Sequence, residues 1–274
     1  MPDYDSTLFM GTASYYRRGR PPYSAELPQL VCEQLGLDGR GHLVDVGCGP
    51  GILSTLLAPY FERVTAIDPD AEMLAEGERY ARSLGLNEIE WLQARAEDLA
   101  DLGLSGVRLV TFGQSLHWTD RERVLEMVYD LLAPGGAVAL ITHNIDHREP
   151  PAGPGHPRIP HTEIRALIAK YLGPRRRAGQ GQASFSDERF QQNMARTRFG
   201  EPLVLYAAGR EDLVRTPEEV LANYLSTSFA APHLFGERFD AFVADFYALL
   251  AEHTDTGKFW DWPGDTELIL GRKA

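Results

Sequence analysis

At 274 residues, with 43% apolar side chains, the chain can fill one large domain or a domain carrying a smaller cap, and a disordered chain is excluded. A formal net charge of −12 argues against a nucleic-acid partner, whose phosphates need a stripe of clustered Lys and Arg. Two cysteines cannot build a disulfide framework, no charged-then-apolar leader opens the sequence, and no apolar run approaches the roughly 18 residues of a membrane span, so a cytoplasmic protein without membrane contact is expected.

Tyr15, Tyr16, Arg17 and Arg20 precede a first helix expected over Tyr23–Leu35. Short apolar runs then alternate with helical periodicity. Strands are expected at His42–Val46, Arg63–Ile67, Ile89–Gln93, Val107–Phe112 and Ala137–Thr142, with helices at Ile52–Tyr60, Ala71–Leu84 and Arg121–Leu132 between them. This is the pattern of a doubly wound parallel sheet, which binds ligands beyond the carboxyl ends of its strands. Glu149 to Pro160 holds five prolines and two glycines, which break regular structure and mark the start of an insertion. The basic run Arg175, Arg176, Arg177, followed by Gly179-Gln180-Gly181-Gln182, reads as a solvated loop.

Leu203–Ala208 reads as a late strand, and Thr216-Pro217-Glu218-Glu219 carries the cap, first-turn proline and returning carboxylate of a helix start. Phe239, Phe242, Val243, Phe246, Leu249 and Leu250 share one face of a helix over Glu237–Glu252, where core packing is preferred to lining a pocket. Thr266–Leu270 is a strand suited to closing the sheet. The expected organisation is a lid and first helix at 1–40, a cofactor-binding core at 41–143, a substrate cap with the late strand at 144–263, and a closing strand at 264–274.

The stretch Leu43-Val44-Asp45-Val46-Gly47-Cys48-Gly49-Pro50-Gly51 places an apolar strand, an acid and three alternate glycines directly before a helix. Glycines let backbone turn tightly and approach a ligand, and the helix behind offers unpaired N–H groups. Asp68 closes the next strand, where a carboxylate can accept both hydroxyls of a ribose. Cys48 has no base beside it in sequence and is not read as a nucleophile.

On these residues the chain resembles the class I S-adenosylmethionine-dependent methyltransferases, whose first loop reads acid-x-Gly-x-Gly-x-Gly, as Asp45, Gly47, Gly49 and Gly51 do. Leu131-Leu132-Ala133-Pro134-Gly135-Gly136 matches the family's turn before the fifth strand. The resemblance implies an α/β fold: a Rossmann-like, mostly parallel seven-stranded sheet with helices on both faces and a helical cap over the substrate site. It also implies S-adenosylmethionine as cofactor. The loop from Asp45 through Gly47, Cys48, Gly49 and Gly51 would carry its methionine and ribose end. Asp68 and Pro69 would meet the ribose, Met73, Ala96 and Glu97 the adenine, and Arg20 the carboxylate. Arg20-Pro21-Pro22-Tyr23, Gln114-Ser115-Leu116-His117-Trp118 and Glu267–Arg272 are similar to small-molecule enzymes of the trans-aconitate methyltransferase-like kind, which adds Gln114 to the cofactor residues.

Methyl transfer from a sulfonium is an in-line displacement, so the protein has to align the acceptor and, where needed, remove a proton. His117, past the fourth strand, and His143, past the fifth, are the candidates for that base, against structural roles for both. His143, Asp146 and His147 lack a geometry that makes them converge, so no metal is expected, and His156 and His161 read as exposed loop residues. The expected function is methylation of O, N or C of a small-molecule acceptor, with specialised (natural-product) metabolism as a setting, by a monomer or homodimer. The alternatives are an S-adenosylmethionine-binding protein without transfer, and an NAD-dependent oxidoreductase, which the glycine spacing disfavours.

Overall fold

Seven segments form the sheet: β1 (His42–Val46), β2 (Arg63–Asp68), β3 (Ile89–Gln93), β4 (Val107–Gly113), β5 (Leu132–Asn144), β6 (Leu203–Ala207) and β7 (Asp265–Arg272); β1, β2 and β4 are buried on both faces, as strands covered on both sides are, while β3 and β6 are only partly buried. The computed structural model describes residues 5–175, 177–178, 181–182 and 189–274. Arg176, Gly179 and Gln180 of the predicted basic loop lie outside the described residues. The strand order is β3-β2-β1-β4-β5-β7-β6; β1 to β5 run parallel, and β7 is antiparallel to both β5 and β6. The order reverses between β1 and β4, which is where open α/β sheets bind ligands.

The α-helices among the described residues are α1 (Ala13–Gly19), α2 (Leu27–Leu35), α3 (Ile52–Leu57), α4 (Ala71–Ser83), α5 (Arg121–Leu131), α6 (His161–Leu172), α7 (Phe190–Ala195), α8 (Pro217–Leu225) and α9 (Phe239–Ala251), and two short antiparallel pairs, Val214–Arg215 with Phe259–Trp260 and Arg177–Ala178 with Gly181–Gln182, lie outside the main sheet. The chain divides into two compact units: a helical one of Met1–Pro22, Ile145–Ser184 and Arg210–Gly264, and a sheet one of Tyr23–Asn144, Phe185–Gly209 and Asp265–Ala274. In the sheet unit, alternation sends Leu43, Leu109 and Leu268 to one face, with Leu27 and Val31 of α2 and Leu53 of α3, and sends Val44, Val110 and Ile269 to the other, with Val124 and Val128 of α5.

The divisions differ from those expected. Helix α2 starts at Leu27 because the preceding residues are tied elsewhere: the Ser24 N–H donates to Thr266 Oγ1 at 2.8 Å, and Ser24 Oγ accepts from Glu26 N–H. Both α2 and β6 belong to the sheet unit; β6 was expected in the cap, but Leu203–Leu205 pair with Leu270–Leu268 on the outer edge of β7. Strand β5 begins at Leu132, opposite Val107, and the expected turn at Pro134-Gly135-Gly136 is absorbed in a register break before Ala137 meets Leu109.

The helical unit has its own core, in which Ile164, Val220, Tyr224, Phe242, Phe246 and Phe259 are buried. Phe235 and Phe242 stack at 4.0 Å, and Phe246 meets Phe242 edge-on at 5.7 Å. The expected helix start is present: Thr216 caps α8 and Glu219 reaches back to the Thr216 N–H at 2.8 Å. Helix α1 lies on α8 so closely that a Cβ on Gly19 would sit 2.2 Å from the Ala222 carbonyl carbon. Arg215 and Asp261 form a buried pair at 3.1 Å, and Arg215 also donates to the Arg18 carbonyl. His161, expected in an exposed loop, opens α6 instead, and its Nδ1 lies 2.7 Å from the hydroxyl of buried Tyr224. Burial of that ring edge lowers its pKa below the usual histidine value. His156 makes a long contact, 3.4 Å, with Thr256.

Phe246 is fully buried, which makes the aromatic face of α9 core. Phe246→Ala should therefore cost about 3–5 kcal/mol of stability in chemical denaturation.

Candidate functional site

The loop after β1 is shaped by three left-handed glycines, Gly47 (φ 64°), Gly49 (φ 52°) and Gly51 (φ 71°). Two are also required by protein neighbours: a Cβ on Gly47 would lie 2.5 Å from Ser115 Cβ, and one on Gly51 2.4 Å from the Trp91 ring. Trp91, on β3, likewise presses on Gly77 of α4. The Cys48 N–H donates to the Ile67 carbonyl at 3.0 Å and the Gly51 N–H to the Cys48 carbonyl at 3.0 Å, so the loop is tied to β2 and closes as a turn before α3. Burial pushes the Cys48 thiol well above its usual range, leaving it a packing group.

Asp45, four residues before Gly49, ties three elements together. It is 1% exposed, and its two oxygens accept from Ser54 Oγ at 2.6 Å and Thr111 Oγ1 at 2.8 Å. Burial raises its pKa, against the pull of both hydroxyls. This one carboxylate joins β1 to α3 and β4. Met73 lies in the first turn of α4. At 2% exposure its side chain is interior, and its N–H serves the Asp70 cap of α4.

Asp68 ends β2 in a different state. Oδ2 accepts from the Gly49 N–H at 2.8 Å and Oδ1 from the Asp70 N–H at 2.9 Å. A carboxylate has about four acceptor positions, so each oxygen keeps one for a ligand. Burial pushes its carboxyl up to about 6, opposed by those two N–H bonds. Beside it the Pro69 carbonyl accepts from Gln93 Nε2 at 3.0 Å, joining the ends of β2 and β3. Past β3, Ala96 is buried and Glu97 pairs with Arg95 at 3.4 Å.

Past β4, Gln114 has φ 53° and is the one left-handed non-glycine among the described residues, a conformation that costs an ordinary residue roughly 1–2 kcal/mol. Ser115 then returns to β1, its Oγ donating to the Val46 carbonyl at 2.6 Å. His117 sits in the half-buried turn Leu116–Trp118 with its ring 4.8 Å from Trp118. His143, near the end of β5, stacks flat on Tyr23 at 5.0 Å. Arg20 alone of the predicted site residues belongs to the helical unit; it donates to the Ser226 carbonyl at 2.9 Å, lies 4.7 Å from the Tyr16 ring, and keeps its Nε buried without a partner. Among the described residues no group of three or more His, Cys, Asp or Glu is placed to hold a metal ion.

Gly47, Gly49, Asp68, Pro69, Ala96, Glu97, Gln114 and His117 thus lie in turns at the carboxyl ends of the first four strands, with His143 on the fifth. Ser54, Trp91, Thr111 and Ser115 were missed. Each is an ordinary strand, helix or turn residue whose role comes from a neighbour 9 to 69 positions away, and no local pattern marks it.

Apart from His143, this edge of the sheet unit falls in residues 43–136, which match the model of the methyltransferase-domain family. The chain is 30% identical to a probable S-adenosylmethionine-dependent methyltransferase of Saccharomyces cerevisiae over 46% of this chain and 44% of that protein. It is 36% identical to the ubiquinone biosynthesis O-methyltransferase of Pseudomonas savastanoi pv. phaseolicola over 42% and 49%. The matches thus span about half the length of these curated relatives. In fold the chain is similar to the crystal structure of a precorrin 8w decarboxylase from Methanobacterium thermoautotrophicum, at TM-score 0.50 and 16% identity, covering 93% of this chain and 94% of that one.

Gly47→Ala and Gly135→Ala separate backbone strain from contact. Both positions are left-handed, but a Cβ on Gly135 would meet nothing within 4 Å. In thermal unfolding Gly47→Ala should be the more destabilising by about 1–3 kcal/mol, the cost of crowding Ser115. Thr111→Val removes one of the two hydroxyls holding Asp45 and should cost about 1–3 kcal/mol by urea titration.

Proposed function

We propose that the protein binds S-adenosylmethionine at the carboxyl ends of β1 to β4 and transfers its methyl group to oxygen, nitrogen or carbon of a small organic acceptor. The observation that carries the reading is Asp68: a largely buried carboxylate, fixed by two backbone N–H groups, with one acceptor position left on each oxygen. Two vicinal hydroxyls of a ribose match that arrangement. The acid-x-Gly-x-Gly-x-Gly loop and the methyltransferase-domain match over 43–136 support the same cofactor.

In this reading the backbone of Gly47 to Gly51 carries the cofactor, Asp68 and Pro69 meet the ribose, and Ala96 and Glu97 flank the adenine. The bound cofactor supplies an activated methyl on a sulfonium. The chain supplies alignment, with His117 or His143 taking the acceptor's proton where one must leave. The helical unit is the part we assign to acceptor selection, because its fold falls outside the matched domain and carries its own aromatic core.

Calorimetry with S-adenosylhomocysteine tests this. Wild type should bind it and Asp68→Ala should lose about 2–4 kcal/mol, from two charge-assisted hydrogen bonds, or roughly 30- to 800-fold in affinity. Binding of NADH instead would overturn the reading. The affinity should also depend on pH. Hydroxyls donate to the ionised carboxylate, and the free protein's Asp68 titrates at about 6, so affinity should fall about tenfold per unit below that value and the dependence should vanish in Asp68→Asn. The unliganded protein shows the opposite sign. Its folded-state value lies above the unfolded one, so between about pH 4 and 6 the folded chain holds more protons, and this group's contribution to stability declines as pH rises.

A further inference from the structure

Inside the helical unit, Arg215 and Asp261 make only half of the pairing that their shapes allow. Arg215 lies opposite Phe259 in a short antiparallel pair, and the Asp261 N–H donates to the Leu213 carbonyl at 2.9 Å, so both side chains start from fixed backbone positions. Arg215 is 5% exposed and Asp261 8%. A guanidinium and a carboxylate frequently meet as two forks, with two parallel N–H···O bonds. Here Nε donates to Asp261 Oδ2 at 3.1 Å, while Nη1 turns away to the Arg18 carbonyl at 3.2 Å. Nη2, on the same edge of the guanidinium as Nε, is buried and donates to nothing among the described residues. No described residue donates to Asp261 Oδ1 either.

Two anchors keep the guanidinium from closing on Oδ1, because turning towards it would pull Nη1 off the Arg18 carbonyl. The result is a buried donor and a carboxylate acceptor side by side, on a cation and an anion whose charges cancel. An interior N–H of a charged group is costly to leave unpaired, so the pair is built for a third partner. A carboxylate placed there would be repelled by Asp261, and an ammonium by Arg215. A hydroxyl suits both, its oxygen accepting from Nη2 and its hydrogen going to Oδ1. The neighbourhood is aromatic: Asp261 lies close enough to Tyr224 and His161 for its charge to act on both, and Tyr224 meets Phe246 edge-on at 5.9 Å. Of the two side chains Asp261 is the more open, so a ligand reaches the pair from its side. Resting on the assignment of this unit to acceptor selection, we propose that Arg215 and Asp261 bind a neutral hydroxyl of the acceptor and so favour uncharged alcohols and phenols over acids and amines.

Benzyl alcohol, benzoate and benzylammonium share one aromatic frame and differ in the group they offer. Each is titrated into the whole protein while the guanidinium nitrogen signals of Arg215 are followed by nitrogen-15 NMR. Benzyl alcohol should shift the Nη2 signal saturably, and benzoate and benzylammonium should bind about tenfold more weakly, because each sets a like charge against one member of the pair. Asp261→Asn keeps the shape and reverses the preference. The Nε–H still requires an oxygen, so the carboxamide presents its NH2 beside Nη2, and two donors next to an uncompensated cation suit a carboxylate. Benzoate should then bind about tenfold better than benzyl alcohol. If benzyl alcohol leaves the wild-type Nη2 signal unmoved, or all three probes bind alike, the proposal is overturned. A folded Asp261→Asn that still prefers the alcohol overturns it too, and where that variant does not fold the wild-type ranking decides alone. None of these titrations contains cofactor, so their failure is distinct from a failure to bind S-adenosylhomocysteine, which would strike the methyl-transfer reading.

Discussion

The site depends on one buried carboxylate. Asp45, near the end of the central strand, is held by the hydroxyls of Ser54 and Thr111, and so the strand before the glycine loop, the helix after it and the neighbouring strand share a single anchor. A carboxylate with 1% exposure is costly to bury without partners; with both oxygens satisfied it becomes a rigid joint between three elements. The loop hung from that joint cannot drift, because Gly47 rests on Ser115 and Gly51 on Trp91.

The two acids of this edge show how environment divides labour between like residues. Both are buried, both have raised pKa values, and both accept a hydrogen bond on each oxygen, but Asp45 takes its bonds from the hydroxyls of Ser54 and Thr111 whereas Asp68 takes its from the backbone N–H groups of Gly49 and Asp70. The first ties three elements together; the second fixes the end of β2 against the glycine loop. Gln114 is held in the left-handed region between its own N–H bond to the Ile141 carbonyl of β5 and the bond of Ser115 to the Val46 carbonyl of β1. Hydrogen bonding and sterics, rather than charge, position this surface.

The helical unit is built on different physics. Its interior is aromatic, with Phe242 touching both Phe235 and Phe246, and its buried ion pair, Arg215–Asp261, is a specific pairing. Breaking such a buried pair leaves an uncompensated group, so these contacts favour one packing of the helices over looser alternatives.

By itself the sequence determined the parts whose signal is local. The five parallel strands, the helices between them, the glycine turn, the Thr216 cap and the apolar face of α9 all follow from period, capping residues and backbone freedom within a dozen positions. The position of Asp68 at the end of β2 was legible too, since the apolar run before it stops there. Tertiary structure alone decided what rests on distant partners. β6 joined the sheet because β7, about 60 residues later, offers it an edge. α6 opens at His161, directly after the proline-rich stretch, and the His161 ring meets the hydroxyl of Tyr224, 63 positions away. Asp45 became a support because Thr111, 66 positions on, donates to it, and Gln114 became strained because β5 and β1 pull it in opposite directions. A sequence records the side chains, but whether an acid faces a ligand or a neighbouring hydroxyl is settled only when the chain brings that neighbour within hydrogen-bond reach.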